Sequence, residues 1–209
     1  MRPVIDFVLA ELPPVTARVL EVGCGDGELA RTLERAGYDV VAIDPAAPDG
    51  PIFRPIKLEE VDDHERFDAV VAVRSLHHVT DVGSALGKIA SLLVPRGRLV
   101  VDELAWDRLD ARTAEWFHGR RRALATAGRT PPPPATVEAC RREWEEEHVG
   151  LHGYAALREA LDERFREVAF AWTAVLHRYL DGVAAQSLER ALIEADAIQA
   201  LGFRYVGVR

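Results

Sequence analysis

An α/β fold, with a mostly parallel sheet wound by helices on both faces, is predicted for this chain by three observations. Short apolar runs rich in branched residues recur without polar alternation, as strands buried on both faces require. Amphipathic stretches of helical spacing separate them. A glycine-rich turn, Gly23-Cys24-Gly25-Asp26-Gly27, joins the first apolar run to the first amphipathic stretch. With 209 residues, 48% of them apolar, the chain is long enough for one domain with a sizeable core.

Arg18 to Val22 reads as a buried strand that stops at Gly23, and Glu28 to Ala36 as the helix behind it, closed by Gly37. Val40 to Asp44 is a second strand, broken by Pro45, and a further strand is expected near Ile52 to Ile56. Asp68 to Val73 and Arg98 to Asp102 follow, with a helix over Val82 to Leu93 between them. Near the end, a helix over Tyr154 to Phe165 precedes a long strand over Glu167 to Tyr179. A helix over Ser187 to Ala200 and a last strand over Phe203 to Val208 bring the strands to seven.

Between Glu103 and Gly150 the pattern holds two helices and no strand. The first places Leu109, Thr113, Trp116, Phe117 and Leu124 on one stripe and ends at Gly128. Pro131 to Pro134 form a stiff connector. Thr136 caps the second helix, whose inner stripe is Val137, Cys140, Trp144 and His148. This segment, about residues 105–150, is too short for a domain of its own and reads as a helical cap inserted into a single domain over 1–209.

Net charge is −8, and of 26 basic residues only Lys57 and Lys88 are lysines. This balance argues against a general nucleic-acid binder, which needs a basic face to displace counterions. Cys24 and Cys140 lie far apart and suggest neither a disulfide framework nor a zinc site. Met1 to Leu12 carries Asp6 and Glu11 within its apolar stretch and makes a poor signal peptide. No apolar run reaches the ~18 residues of a membrane span. A cytoplasmic protein, monomer or homodimer, without membrane or metal partner is expected.

Glycines in a strand-to-helix turn permit positive φ and let a ligand approach the backbone, beside the unpaired N–H groups of the helix start. Asp44 ends the next strand, close to the ~20-residue spacing at which a carboxylate accepts from ribose hydroxyls. An adenosine-type ligand at the carboxyl edge of the sheet is therefore predicted. A dinucleotide fingerprint would read GxGxxG, whereas this turn reads GxGxG behind Glu21.

With Val41-Ala42-Ile43-Asp44, Phe67-Asp68-Ala69-Val70-Val71, Leu76-His77-His78 and Leu92 to Leu99, the stretch Val19 to Gly27 resembles the ordered motifs of the class I S-adenosylmethionine-dependent methyltransferases. The likeness covers roughly residues 15 to 103. It implies a Rossmann-like, doubly wound, seven-stranded sheet and S-adenosylmethionine as cofactor, with S-adenosylhomocysteine as product. By the same resemblance, Glu21 and the backbone of Gly23, Cys24 and Gly25 surround the methionine part. Asp44 holds the ribose, Pro45 lies against the adenine, Leu58 frames its edge, and Val73 with Arg74 line the floor near the sulfonium. Many members carry an acidic residue where Lys57 stands, so Glu59 or the backbone takes the adenine amino contact here.

Methyl transfer needs alignment of the nucleophile and exclusion of water, and a hydroxyl acceptor profits from a general base. His77 or His78, after the Asp68–Val73 strand, suits that role unless the pair merely packs in a turn. His148 is either such a base or a core histidine bonded to a carbonyl. Trp106, Trp116 and Trp144 line a substrate pocket or pack the cap. Glu103 and Asp107 are placed to orient an acceptor. Arg120, Arg121 and Arg122, ~100° apart in turn, cannot share one pocket. The reading is a methyltransferase of small molecules, oxygen slightly preferred over nitrogen or carbon. Its rivals are a non-catalytic protein on the same fold and a nicotinamide-dependent oxidoreductase.

Overall fold

The computed structural model describes residues 2–209. A seven-stranded sheet runs through it in the order β3-β2-β1-β4-β5-β7-β6. The strands are β1 (Arg18–Val22), β2 (Asp39–Ile43), β3 (Phe53–Arg54), β4 (Phe67–Val73), β5 (Leu93–Leu104), β6 (Arg166–Thr173) and β7 (Gly202–Val208). The pairings of β1 with β2 and β4, of β2 with β3, and of β4 with β5 are parallel. The chain thus winds outward from β1 to β3 and returns to β4 on the other side of β1. At such a reversal the connections leaving β1 and β4 run in opposite directions, the place at which open α/β sheets bind ligands.

Helices α1 (Arg2–Glu11), α2 (Glu28–Arg35), α3 (Val82–Leu92), α4 (Ala111–Thr126), α5 (Val137–Glu147), α6 (Tyr154–Arg164) and α7 (Val183–Glu194) complete the elements. Val19, Val40, Ala42, Ala69, Val71 and Val100 of the strands pack with Leu29, Ala30 and Leu33 of α2 and with Val4 and Val8 of α1. Side chains alternate along a strand, so Leu20, Val70 and Val101 point to the opposite face. They are buried too, and the sheet is covered on both sides, which is why its strands lack polar alternation.

The chain divides into two compact units. One takes the chain up to Glu103 with Ala155–Ala171 and Arg204–Arg209; the other takes Leu104–Tyr154 and Trp172–Phe203. The second unit has its own core, in which Phe117 and Ala114 of α4 meet Cys140 and Trp144 of α5 with Leu109, Leu176 and Leu201. Asp110 and Thr136 cap α4 and α5 by accepting from the amides of Thr113 and Ala139.

Four elements depart from the sequence reading. No element was expected before Arg18, yet α1 forms there and buries Val4 and Val8, with Leu12 buried just past its end. The strand expected to reach Tyr179 ends at Thr173 and gives way to a 3-10 turn over Leu176–Tyr179. There the buried Glu189 carboxylate accepts the amides of Val175, Leu176 and His177, donors a strand would have spent on a ladder. The last helix spans Val183–Glu194 rather than Ser187 to Ala200, because Asp196 turns to positive φ behind it. β5 begins at Leu93, its pairing with β4 shifting between Phe67 and Ala69.

Among the described residues, no helix is long and apolar enough to cross a membrane.

Candidate active site

The turn after β1 is held by its own backbone. Gly23 and Cys24 both donate to the carbonyl of Ile43 (2.8 and 3.1 Å), which ties the turn to the end of β2. Gly23 has φ 75°, and a Cβ there would stand 2.3 Å from Cβ of Ser75, the residue that follows β4 by two positions. Ser75 in turn donates its hydroxyl to Val22 O at 2.7 Å. The carboxyl ends of β1 and β4 are therefore locked together through a glycine that tolerates no side chain. Gly23→Ala is expected to destabilise the protein by about 2–4 kcal/mol, combining positive φ with overpacking. Urea unfolding measures this, and a loss below about 0.5 kcal/mol would contradict the contact.

Gly25 is different. Its φ is 51°, and nothing lies within 4 Å of where a Cβ would stand, so the backbone presents a bare surface. Its amide donates to Asp44 Oδ2 (3.1 Å), while Asp44 Oδ1 accepts from the amide of Ala46 (2.8 Å). Each carboxylate oxygen keeps a second lone pair for a ligand. Pro45 beside it is exposed, and Leu58 is buried at the start of a 3-10 turn over Leu58–Glu60.

Glu21 sits on β1 below the turn, only 3% exposed. Its Oε2 has no hydrogen-bond partner. Burial pushes its carboxyl up to about 8, the amide of Ala30 draws it back in part, and the charges of Asp26 and Asp44 raise it further. An unfilled buried acceptor below this turn is a polar group that the fold alone does not satisfy. The Cys24 thiol is pushed up to about 12, by burial first and then by Glu21 and Asp44. It is held as a thiol and is no nucleophile.

At the end of β4, Val73 is half-buried and Arg74 is exposed with φ 50°, its amide bonded to Asp102 O. The 3-10 turn over Leu76–His78 follows. Glu103, 1% exposed at the end of β5, accepts the amide of Leu76 through Oε1 (2.8 Å) and meets His77 Nδ1 through Oε2 (2.6 Å). The His77 ring is buried, and the exposed His78 ring lies 4.1 Å from it, centroid to centroid. Desolvation, then the neighbouring His77, lower the pKa of His78 against an opposing pull from Glu103. Sequence reading named His77 and Glu103 separately. Their pairing, across 26 positions, left no signal in the sequence because strand order alone brings β4 and β5 together.

The other expected site residues lie in the second unit. Trp144 is buried and donates its indole N–H to Trp106 O (3.0 Å); half-buried Trp106 donates to His152 O (3.3 Å). Trp116 is half-buried against the same core. His148 closes α5 with Nδ1 bonded to Trp144 O (2.6 Å) and stacks on Trp106 with centroids 5.5 Å apart. Phe117 and Tyr179 join Trp144 around a small cleft that the sequence did not single out.

Comparison with known proteins matches residues 1–166 to a family described as methyltransferase domain. A ubiquinone biosynthesis O-methyltransferase of Rhodopseudomonas palustris (strain HaA2) is 41% identical over 100 residues, 42% of this chain and 40% of that protein. The chain spans about two-fifths of the length of the curated relatives it matches. Among solved structures, an S-adenosylmethionine dependent methyltransferase from Mesorhizobium loti superposes with a TM-score of 0.61 at 16% identity, covering 99% of this chain and 96% of that one. The N-methyltransferase NodS of Bradyrhizobium japonicum WM9, in complex with S-adenosylhomocysteine, gives 0.56 at 16% identity over 100% and 84%. These two share the fold. The chain belongs to the methyltransferase-domain family.

Proposed function

We propose that the chain methylates an oxygen of a small molecule, with the cofactor held on the turn after β1. The observation that carries the cofactor site is the buried carboxyl of Glu21, whose Oε2 has no hydrogen-bond partner, on the strand that leads into the bare backbone of Gly25. The residues present fit S-adenosylmethionine. Its positive charge supplies what Glu21 lacks, and its ribose hydroxyls match the spare lone pairs of Asp44. The remaining frame is Gly23, Cys24, Pro45, Leu58, Val73 and Arg74. When bound, the cofactor supplies a methyl carbon already activated by its sulfonium.

The chain's own part is then to orient an acceptor and receive its proton. His77 is the best supported of the three histidines for this, because Glu103 fixes its Nδ1 and leaves Nε2 as the other ring position. Glu103 acts through His77 and is a positioning residue. The preference for oxygen rests on the O-methyltransferase relatives. A small molecule is preferred to nucleic acid because the loop after β4 is Arg74-Ser75-Leu76-His77 and the chain is acidic.

Calorimetric titration with S-adenosylmethionine, S-adenosylhomocysteine and NADH tests the cofactor site, and binding of NADH alone would overturn it. With an acceptor from a screen of phenols, alcohols and amines, His77→Gln is expected to cut turnover by about 10²-fold or more with cofactor affinity unchanged. Turnover within about twofold of wild type would reduce His77 to a part of the turn.

A further inference from the structure

The second unit carries a feature that methyl transfer does not require. Phe117 of α4, Trp144 of α5 and Tyr179 of the Leu176–Tyr179 turn stand mutually edge-to-face. Their ring centroids are 6.0 Å apart for Phe117 and Trp144, 6.4 Å for Phe117 and Tyr179, and 5.1 Å for Trp144 and Tyr179. With interplanar angles of 70–83°, the rings form three walls of a box rather than a stack. Phe117 and Trp144 are buried, while Tyr179 is 44% exposed. The cleft they line, with Arg121, Glu143 and Glu147, holds about 110 Å³. That is room for about four waters, the bulk of a methylated ammonium head.

The charges around the box favour a cation. Arg121 is spent on Glu143, to which it is hydrogen-bonded, and its guanidinium already lies 5.5 Å from the centre of the Phe117 ring. Glu147, one helical turn beyond Glu143 on α5, has no hydrogen-bond or ion-pair partner among the described residues, so of the lining residues Arg121, Glu143 and Glu147 it carries the excess negative charge. Aromatic faces attract cations through their quadrupole, most strongly where water is displaced. A carboxylate at the lip adds Coulomb attraction, whereas an anionic or neutral polar ligand would gain neither. We propose that this cleft binds the methylated ammonium head of a free small organic cation. The inference goes beyond the methyl-transfer reading and does not depend on it.

The test uses the full chain and tryptophan fluorescence, since Trp144 is a wall of the box. Choline is titrated against its neutral isostere 3,3-dimethylbutan-1-ol, first in wild type and then in Glu147→Gln and Tyr179→Leu, both changes at exposed side chains. Saturable quenching by choline is expected, about tenfold tighter than by the isostere, with each variant about three- to tenfold weaker. Circular dichroism confirms that both variants fold. Equal response to both compounds, no saturation by about 10 mM choline, or full affinity in both variants would overturn the proposal. So would co-sedimentation with phosphatidylcholine vesicles without any response to free choline, which would assign the box to a lipid head group.

Discussion

Glu21→Gln is expected to raise the melting temperature of the ligand-free protein by about 10 °C at pH 9 and to change it little at pH 4.5. The reason is the proton that burial forces onto this carboxyl. Its value is about 8 in the folded chain against an ordinary 4.5. Between those two values the folded state keeps a proton that the unfolded chain has released. The folded state binds more protons there, so stability falls as pH rises. The favourable contribution is complete below about 4.5 and lost once pH has passed about 8. Across that window the loss is on the order of 4 kcal/mol, which a neutral amide of the same shape avoids. Thermal unfolding of both proteins from pH 4.5 to 9 gives the difference curve, free of groups the two share. A flat difference would show that Glu21 is solvated in the folded protein. The same substitution is expected to weaken S-adenosylmethionine binding, because an amide brings no charge to a cationic ligand. Better folding with poorer binding is the signature of a residue kept for its ligand.

Asp44→Ala is expected to weaken S-adenosylmethionine binding by about 1.5–3 kcal/mol, or about ten- to 150-fold. Part of that loss comes from the ribose, whose hydroxyls would no longer meet a carboxylate. Part comes from the turn, because Asp44 also accepts the amides of Gly25 and Ala46. Asp44→Asn separates the two. One amide oxygen still accepts from a backbone N–H, so the turn is largely kept while the ribose loses a charged acceptor. Calorimetry on both variants should place Asn between wild type and Ala. Unchanged affinity in the alanine variant would remove Asp44 from the cofactor site.

Which parts of the site were readable in advance follows from where each residue's constraint originates. The turn from Gly23 to Gly27 was legible because positive φ at three glycines is a local demand, written in residue type. Asp44 was legible because a parallel β1–β2 pair joined by one helix fixes its distance along the chain from the turn. Glu21 could be named as a strand-end carboxylate, but not its missing partner or its raised pKa. Those depend on what surrounds it after folding.

Elsewhere, constraints of long range decided the outcome. The run from Val168 to Leu176 is apolar apart from Thr173 and reads as one strand, yet the strand stops at Thr173, where Glu189 takes the next amides. Val4 and Val8 of α1, with Leu12 just past its end, are three residues in a short segment, too few to be told from a loop until the sheet offers a surface to bury them.

By itself, then, the sequence determined the α/β class, the glycine turn, the acidic ends of β1 and β2, and the family. Each rests on local periodicity, backbone conformation or fixed spacing along the chain. Only the tertiary structure decided that Glu103 would grip His77, that Gly23 would press on Ser75, and that Phe117, Trp144 and Tyr179 would wall a cleft. Those contacts join residues separated by dozens of positions, and the energy that selects them is burial and hydrogen bonding, which exists only once the strands have found their order.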